Sequence, residues 1–340
     1  FLLIYLPHIN TPYPLHIDEW KHITETIKIK QGITPQGFQG IETGFHLFLA
    51  VLSLFTNLVL SYKFFPAIWI IITSIIIFKI VKKQTAELKN SFFIAIFTII
   101  FFASIKSNVN ITGLWFFTPL TFSIPFIFLY TYLFTKGIQK QNKKLITYSL
   151  IIMALLIPTH AISVLFAIPI LLIFSLFHIK YLKKEYKFFL IFLLIPLTGI
   201  FFYMYLLDLT FLASIKDILT QIQFKHGWGI LELKNSFFEL YSPIGYFLAT
   251  LGFFHIISSK NKQKKYLLHL LWPIITLTYI LIFKYTEISL LSPYQRNLYY
   301  FAISLPILSA FGLNYILLII KKSIKKDNLY KTISILLIIL

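Results

Sequence analysis

Long apolar runs separated by short lysine-rich segments constrain this chain more than any other feature of its sequence. The five basic segments are 79–89, 136–144, 180–187, 260–265 and 321–331. They hold 21 of the 31 basic residues and only three acids, Glu87, Glu185 and Asp327. Loops on the cytoplasmic side of a membrane carry such a lysine excess. The pattern predicts a multi-pass helical membrane protein whose basic loops face the cytoplasm.

The composition supports this class and excludes others. Apolar residues make up 58% of the chain and the mean hydropathy is +0.80, values that a soluble domain of 340 residues does not reach. Outside the basic segments, 10 basic residues stand against 9 acidic ones, so the net charge of +19 does not build the basic surface that a nucleic acid needs. The chain has no cysteine, which excludes disulfides and thiolate metal sites.

The same alternation predicts the spans. If the apolar stretch 44–60 crossed the membrane, the 79–89 loop would lie on the opposite side from the other basic loops, so we expect a juxtamembrane or re-entrant helix there. The fold is then an all-α transmembrane bundle in one domain, with no soluble part, about nine complete spans and cut helices at both ends. The expected spans are 64–81, 91–105, 116–135, 145–160, 161–178, 188–207, 241–258, 267–284 and 298–320. Residues 7–62 and 208–240 form the two large exoplasmic loops.

An unusual group of acids and histidines opens the first of these loops, in the stretch 16–22. On a helix, Asp18, His22 and Glu25 share one stripe, while Trp20, Ile23 and Ile27 share another. This pattern predicts an amphipathic helix on the membrane surface, with Trp20 among the headgroups and the polar stripe toward a cavity. His22 could then pair with a carboxylate or bind a sugar or phosphate oxygen. A solvated face of a surface helix is the alternative.

Further candidates follow the predicted stop of this helix at Gly32. Glu42 and His46 lie one turn apart where the juxtamembrane helix begins, near the outer face. They are candidates for substrate binding, with ordinary interfacial polarity as the alternative. His160 lies at an outer helix corner, where a histidine more often satisfies the corner than binds a ligand.

The centres of the expected spans hold almost no ionisable groups, whereas transporters and pumps keep such groups for function. The ionisable residues gather at the exoplasmic face instead, which favours chemistry on a lipid-borne substrate. In the second exoplasmic loop, Lys225, His226 and Trp228 offer a cation, an imidazole and a ring that stacks on sugars. Glycine-flanked aromatic residues also occur in plain surface loops.

Arg296 is the only arginine in the chain, and it follows Tyr294 in a segment at the outer mouth of a span. A guanidinium binds phosphate through two parallel hydrogen bonds, which a lysine cannot reproduce. We interpret Arg296 as the ligand of a lipid-linked phosphate, with Tyr294 as a substrate contact. An interfacial arginine that reaches toward the headgroups is the alternative.

Together these features resemble the C-type integral membrane glycosyltransferases (GT-C fold), which include the protein O-mannosyltransferases and the aminoarabinose lipid A transferases. The resemblance rests on the Asp18-Glu19 pair, the amphipathic helix, the non-crossing helix and the late Pro-Tyr-x-Arg segment. It implies that Asp18 is the catalytic carboxylate. Because adjacent helical residues point about 100° apart, Glu19 would orient the site or bind metal. Relatives often carry a second acid in the next outer loop, where this chain has Asn108 and Asn110.

The implied reaction is inverting glycosyl transfer at the exoplasmic face of the cell membrane. Asp18 takes the proton of an acceptor hydroxyl, and Arg296 neutralises the departing phosphate of a polyprenyl-phosphate sugar. The expected partners are this donor, membrane lipids and an acceptor lipid, glycan or protein, with no nucleic acid. No cofactor is firmly implied, and a divalent metal is compatible with the site but not expected. A lipid-linked polysaccharide ligase or polymerase, and a lipid or solute transporter, are the alternatives.

Overall fold

The computed structural model is helical, with no strand in the part of the chain that it describes. It describes residues 2–11, 13–33, 42–88, 90–107, 113–186, 208–219, 233–258 and 260–323, together with single positions between 190 and 205. The candidates Lys225, His226 and Trp228 lie outside the described residues, as does most of the expected span 188–207.

Seventeen α-helices lie within the described residues. Those of the first half are α1 (Leu2–Tyr5), α2 (Ile17–Lys30), α3 (Thr43–Leu52), α4 (Leu58–Ser61), α5 (Phe65–Gln84), α6 (Ser91–Ala103) and α7 (Pro119–Gln139). Those of the second half are α8 (Lys143–His160), α9 (Ile162–Leu165), α10 (Ala167–Leu176), α11 (Ile179–Lys184), α12 (Phe211–Leu219), α13 (Leu233–Leu240), α14 (Pro243–Ile257), α15 (Lys260–Lys265), α16 (Leu267–Thr286) and α17 (Tyr294–Ser323). Two 3-10 turns, Leu6–His8 and Tyr62–Phe64, continue α1 and join α4 to α5.

Three of the described helical segments are long and apolar enough to cross a membrane. They are Leu58–Gln84, Leu267–Thr286 and Tyr294–Lys321. A span needs about 20 apolar residues to cross a hydrocarbon core of about 30 Å. Four further apolar segments have only 10 to 17 residues: Thr43–Leu52, Ser91–Ala103, Ile162–Leu176 and Pro243–Ile257. The all-helical class and a membrane location are supported, while the count of about nine spans stays a prediction.

The stretch 44–60, predicted as one helix that does not cross the membrane, is divided between two helices. α3 ends at Leu52, and α4 begins only at Leu58, with the side chain of Asn57 accepting the backbone N–H of Leu60. α3 has 10 residues and is therefore about 15 Å long, half of a hydrocarbon core. The first long helical segment starts at Leu58 rather than at residue 64, because the 3-10 turn carries the helical path into α5.

α17 lies at the centre of the bundle, and α6, α14 and α16 all pack against it. Its contact with α14 depends on two glycines. A Cβ atom at Gly252 would lie 1.9 Å from the carbonyl oxygen of Leu308, and one at Gly312 would lie 1.9 Å from that of Leu248. The two backbones therefore touch directly, in the manner by which small residues let membrane helices approach.

A separate aromatic cluster fastens α2 and α3 to one end of this bundle. Its buried members are Ile23, Phe45, Leu49, Leu58, Tyr62, Phe117 and Phe122. The hydroxyl of Tyr62 donates to the carbonyl oxygen of Phe117 at 2.6 Å, and the indole of Trp69 donates to that of Phe122 at 3.0 Å. We call the end of the bundle that carries this cluster the site end. The opposite end, where α5 and α7 finish at Gln84 and Gln139 with lysines in their last turns, is the lysine end. The 20 residues of α5 separate them by about 30 Å.

The glycine contact gives a test of the packing. Gly252→Ala or Gly312→Ala places a methyl group against backbone that cannot rotate away, so each should destabilise the protein by about 1–3 kcal/mol. The measurement is the thermal unfolding midpoint of the detergent-purified protein. Ile244→Ala, on the same helix with its side chain 69% exposed, is the control and should unfold near the wild-type temperature. Wild-type midpoints for both glycine variants would contradict the packing described.

Candidate functional site

The predicted amphipathic helix and its stop are confirmed. α2 begins after His16, whose Nδ1 accepts the backbone N–H of Asp18 at 3.1 Å. It ends at Lys30, and Gly32 just beyond it adopts a φ of +78° that glycine tolerates without strain. Beyond it, the N–H of Ile33 donates to the carbonyl oxygen of Lys28 at 2.9 Å and closes the last turn.

The polar stripe of α2 faces the protein. His22 is 4% exposed and Glu25 is 2% exposed, whereas Trp20 is 40% exposed on the outer side. Ile23, expected beside Trp20, is instead buried in the aromatic cluster. Asp18 lies at the margin of the buried face with 38% of its side chain accessible, so a substrate can reach its carboxylate.

Glu19 is fully buried, and both of its carboxylate oxygens are occupied. Oε2 accepts the backbone N–H groups of Leu15 and His16 at 3.0 and 3.1 Å, and Oε1 accepts that of Phe117 at 2.8 Å. Burial raises the pKa of Glu19 to about 7, against the lowering effect of these hydrogen bonds. The carboxylate therefore caps α2 and ties it to the segment before α7, which is an orienting position rather than one open to substrate.

α3 brings Glu42 and His46 against α2. Nε2 of His46 lies 3.0 Å from Nδ1 of His22, and a carboxylate oxygen of Glu42 lies 3.8 Å from the same Nδ1. α3 also lies close to the end of α8: a Cβ atom at Gly44 would be only 2.7 Å from Oγ1 of Thr159. The missing side chain at Gly44 thus lets three helices meet at the site end.

His160 ends α8 and is 4% exposed. Its Nδ1 lies 2.6 Å from the hydroxyl of Ser163, which lies 3.1 Å from the hydroxyl of Tyr300 on α17. His160 thus hydrogen-bonds within the helix corner, the more common role of a histidine at such a position. The charge of Arg296 also acts on it.

Arg296 occupies the first turn of α17, with its backbone N–H donating to Pro293 at 2.9 Å. Its charge acts on His22, Glu42 and His160, which come from three other parts of the chain. The single arginine therefore acts on candidate residues at this end of the bundle, while its role as a phosphate ligand stays a prediction.

The segment that carries Arg296 is held firmly. The side chain of Asn297 donates to the carbonyl oxygen of Ser292 at 3.1 Å, and the hydroxyl of Ser292 bonds to the Asn297 side chain. Tyr294 is 1% exposed and stacks on Phe283 with ring centroids 4.4 Å apart. The structure therefore places Tyr294 in the packing between α16 and α17, whereas the sequence suggested a substrate contact.

Desolvation controls the protonation of this group. It raises the pKa of Glu42 to about 7, although Arg296 and Lys21 favour the carboxylate and 30% of the side chain is accessible. Burial also lowers the pKa of His22 well below its usual value and that of His46 to about 4. Both histidines are therefore neutral at pH 7.

Lys21 also contributes its charge to this group, although the sequence did not mark it as a candidate site residue. Its charge acts on His22, Glu42 and His46. Its spacing from Asp18, three residues along a helix, is a signal that could have identified it. One lysine among many in the sequence did not stand out.

No protein-family model matches the chain, and no curated protein sequence matches it. The resemblance to C-type glycosyltransferases therefore stays a prediction that rests on this chain's own residues. Six of the predicted site residues come together at the site end: Asp18, His22, Glu42, His46, His160 and Arg296.

Three of these residues could hold a metal ion, which the sequence analysis did not expect. The ligand atoms of His22, Glu42 and His46 all lie within 4.8 Å of one another. Tetrahedral zinc, with Zn–N distances of about 2.0–2.1 Å, would set two nitrogens about 3.4 Å apart, close to the 3.0 Å between the histidines. Burial keeps both imidazoles in the neutral form that binds metal.

Metal loading tests this grouping. After chelation and dialysis, the purified protein should take up about one Zn²⁺ per chain, and His46→Ala should abolish the uptake because two ligands do not hold zinc tightly. Elemental analysis gives the stoichiometry. His178→Ala, a histidine near the lysine end whose ring contacts the carbonyl oxygen of Phe174, is the control. If wild type takes up no zinc, the two imidazoles form only a hydrogen-bonded pair.

The position of Glu19 gives a stability prediction. In Glu19→Gln the amide can still accept from Leu15 and His16, but its NH₂ group then faces the N–H of Phe117. That buried donor loses its acceptor, so the protein should lose about 1–3 kcal/mol of unfolding free energy. The measurement is the thermal unfolding midpoint of Glu19→Gln, with Asp18→Asn as the control. Because the Asp18 side chain is 38% exposed, Asp18→Asn should lower the unfolding free energy only slightly. Equal midpoints for wild type and Glu19→Gln would show that the buried carboxylate is dispensable.

Proposed function

We propose that this protein is a membrane glycosyltransferase that moves a sugar from a polyprenyl phosphate to an acceptor hydroxyl, with inversion. One observation carries the proposal: an accessible carboxylate, neutral histidines and the only arginine of the chain converge at one end of an apolar helical bundle. Asp18, His46, His160 and Arg296 are far apart in sequence, so packing alone brings them together.

The exposure of the two adjacent carboxylates favours Asp18 over Glu19 as the general base. Asp18 has 38% of its side chain exposed, whereas Glu19 is fully buried with both oxygens bonded to backbone N–H groups. A general base must come within hydrogen-bond reach of the proton that it removes. The exposed carboxylate of Asp18 is open to an acceptor hydroxyl, which supports Asp18 as the base, and Glu19 serves to orient the start of α2.

The proposed reaction is a single displacement at the anomeric carbon. The acceptor hydroxyl oxygen forms a bond to that carbon as the bond to the phosphate oxygen breaks. Asp18 takes the hydroxyl proton, and polyprenyl phosphate departs with the electron pair of the broken bond. Because the new bond forms on the face opposite the leaving group, the configuration inverts.

Arg296 supplies positive charge for the departing phosphate. Its field already acts on Glu42, His22 and His160, so the guanidinium lies at the same end as the base. A fixed cation aimed at developing negative charge lowers the barrier without reorganisation at the moment of reaction. The neutral histidines and Glu42 remain for contacts to sugar hydroxyls.

Removing the base gives the first functional prediction. Asp18→Asn keeps the size of the side chain but cannot accept the proton, so sugar transfer should fall by about 100-fold or more while the protein remains folded. The measurement is transfer from a radiolabelled polyprenyl-phosphate sugar to acceptor in a reconstituted membrane. Glu185→Gln, which removes a carboxylate paired with Lys143 at the lysine end, is the control and should transfer at the wild-type rate. Near-normal transfer by well-folded Asp18→Asn would remove Asp18 as the base.

The second functional prediction separates geometry from charge at Arg296. Arg296→Lys keeps the cation but loses the paired hydrogen bonds, so affinity for polyprenyl phosphate should weaken by about 1.5–3 kcal/mol. Lys284→Arg, an exposed residue near the end of α16, is the matched control. Binding is measured with the purified protein in detergent. Equal affinities for wild type and both variants would take Arg296 out of the donor site.

A further inference from the structure

The lysine end of the bundle contains a cavity that the proposed function does not use. It has a volume of about 260 Å³ and lies between the ends of α5 and α7 and the start of α16. Lys83, Lys136, Lys140 and Lys265 line it, with Glu87 as the one acid among its lining residues.

The charge of this cavity is not balanced. Glu87 already pairs with Lys265, with 2.8 Å between the carboxylate oxygen and Nζ. Among the described residues, no carboxylate pairs with Lys83, Lys136 or Lys140. In the part of the chain that the structure describes, these three cations therefore share one cavity without a carboxylate partner of their own.

The cations lie close to one another. Lys83, Lys136 and Lys140 all line the same cavity, and the charge of Lys140 acts on Lys136. Nζ of Lys136 also donates to the hydroxyl of Tyr132 at 2.6 Å, which uses one of its three N–H groups. Ammonium groups only donate, so neighbouring lysines are stabilised by an acceptor held between them. An anion with several oxygens fits that role.

The walls of the cavity are fixed by polar contacts between helices. Nε2 of His269 on α16 lies 3.0 Å from the amide oxygen of Gln84 on α5. The side-chain amide of Gln139 on α7 lies 3.4 Å from the carbonyl oxygens of Lys264 and Lys265. The volume is below the roughly 300–1,000 Å³ of sites for drug-sized ligands, so a headgroup fits and a whole lipid does not.

We propose that this cavity binds the phosphate group of an acidic membrane lipid. The lysine-rich segments predict that this end faces the cytoplasm, and basic pockets between helices on that side recognise anionic headgroups. Free inorganic phosphate offers the same oxygens, so the two sources are compared directly. The site is independent of the transferase proposal, because it lies about 30 Å away at the other end of α5.

Binding to the purified protein in detergent tests the proposal. The probes are dioctanoyl phosphatidic acid, dioctanoyl phosphatidylcholine and inorganic phosphate, each followed by titration calorimetry. Lys83→Gln with Lys136→Gln should weaken phosphatidic acid binding by about tenfold or more, because two charge-assisted hydrogen bonds are lost. Lys79→Gln with Lys144→Gln removes the same charge from exposed positions outside the cavity and should stay within about twofold of wild type.

Further variants and the two phosphate probes distinguish a lipid headgroup from free phosphate as the ligand. Lys83→Arg with Lys136→Arg should restore binding, and Lys140→Gln at the exposed mouth gives the same direction of change if the double glutamine variant does not fold. Inorganic phosphate binding as tightly as phosphatidic acid would keep the phosphate site and assign it to the free anion, contradicting the lipid. The proposal is overturned if wild type does not bind phosphatidic acid, if it binds phosphatidylcholine equally well, or if both double glutamine variants lose affinity equally.

Discussion

The buried carboxylate of Glu19 holds the candidate site to the rest of the molecule. It accepts the N–H of Phe117 across 98 residues of sequence while capping the start of α2 through Leu15 and His16. A buried donor without an acceptor is costly, and hydrogen bonds to a charged group contribute about 1.5–3 kcal/mol each. The orientation of the whole inward face of α2, Asp18 included, therefore depends on one side chain that touches no substrate.

Two further constraints complete the arrangement. The aromatic cluster around Phe117 fastens α2 and α3 to α5 and α7, and Gly44 allows α3 to reach the end of α8. With α3 in that position, His46 meets His22, on which the charge of Arg296 also acts. The site is thus a consequence of how the surface helices dock on the bundle, while the bundle itself is organised around α17.

The local features of this arrangement could be predicted from the sequence, and the long-range ones could not. Helical periodicity predicted α2, its stop at Gly32 and the inward face of His22, because these depend on residues within a few turns. The partner of Glu19 is set by tertiary packing, so no sequence spacing indicated it. For the same reason, Tyr294 was expected at a substrate and lies in the core against Phe283.

The proposed donor site is tested most directly by an electron cryo-microscopy map of the protein in lipid nanodiscs with a polyprenyl phosphate. We expect phosphate density within hydrogen-bond distance of the Arg296 guanidinium, at the end of the bundle where Asp18, Glu42 and His46 meet. Density for that phosphate only at the lysine end, or none beside Arg296 at saturating lipid, would contradict the proposed transferase site.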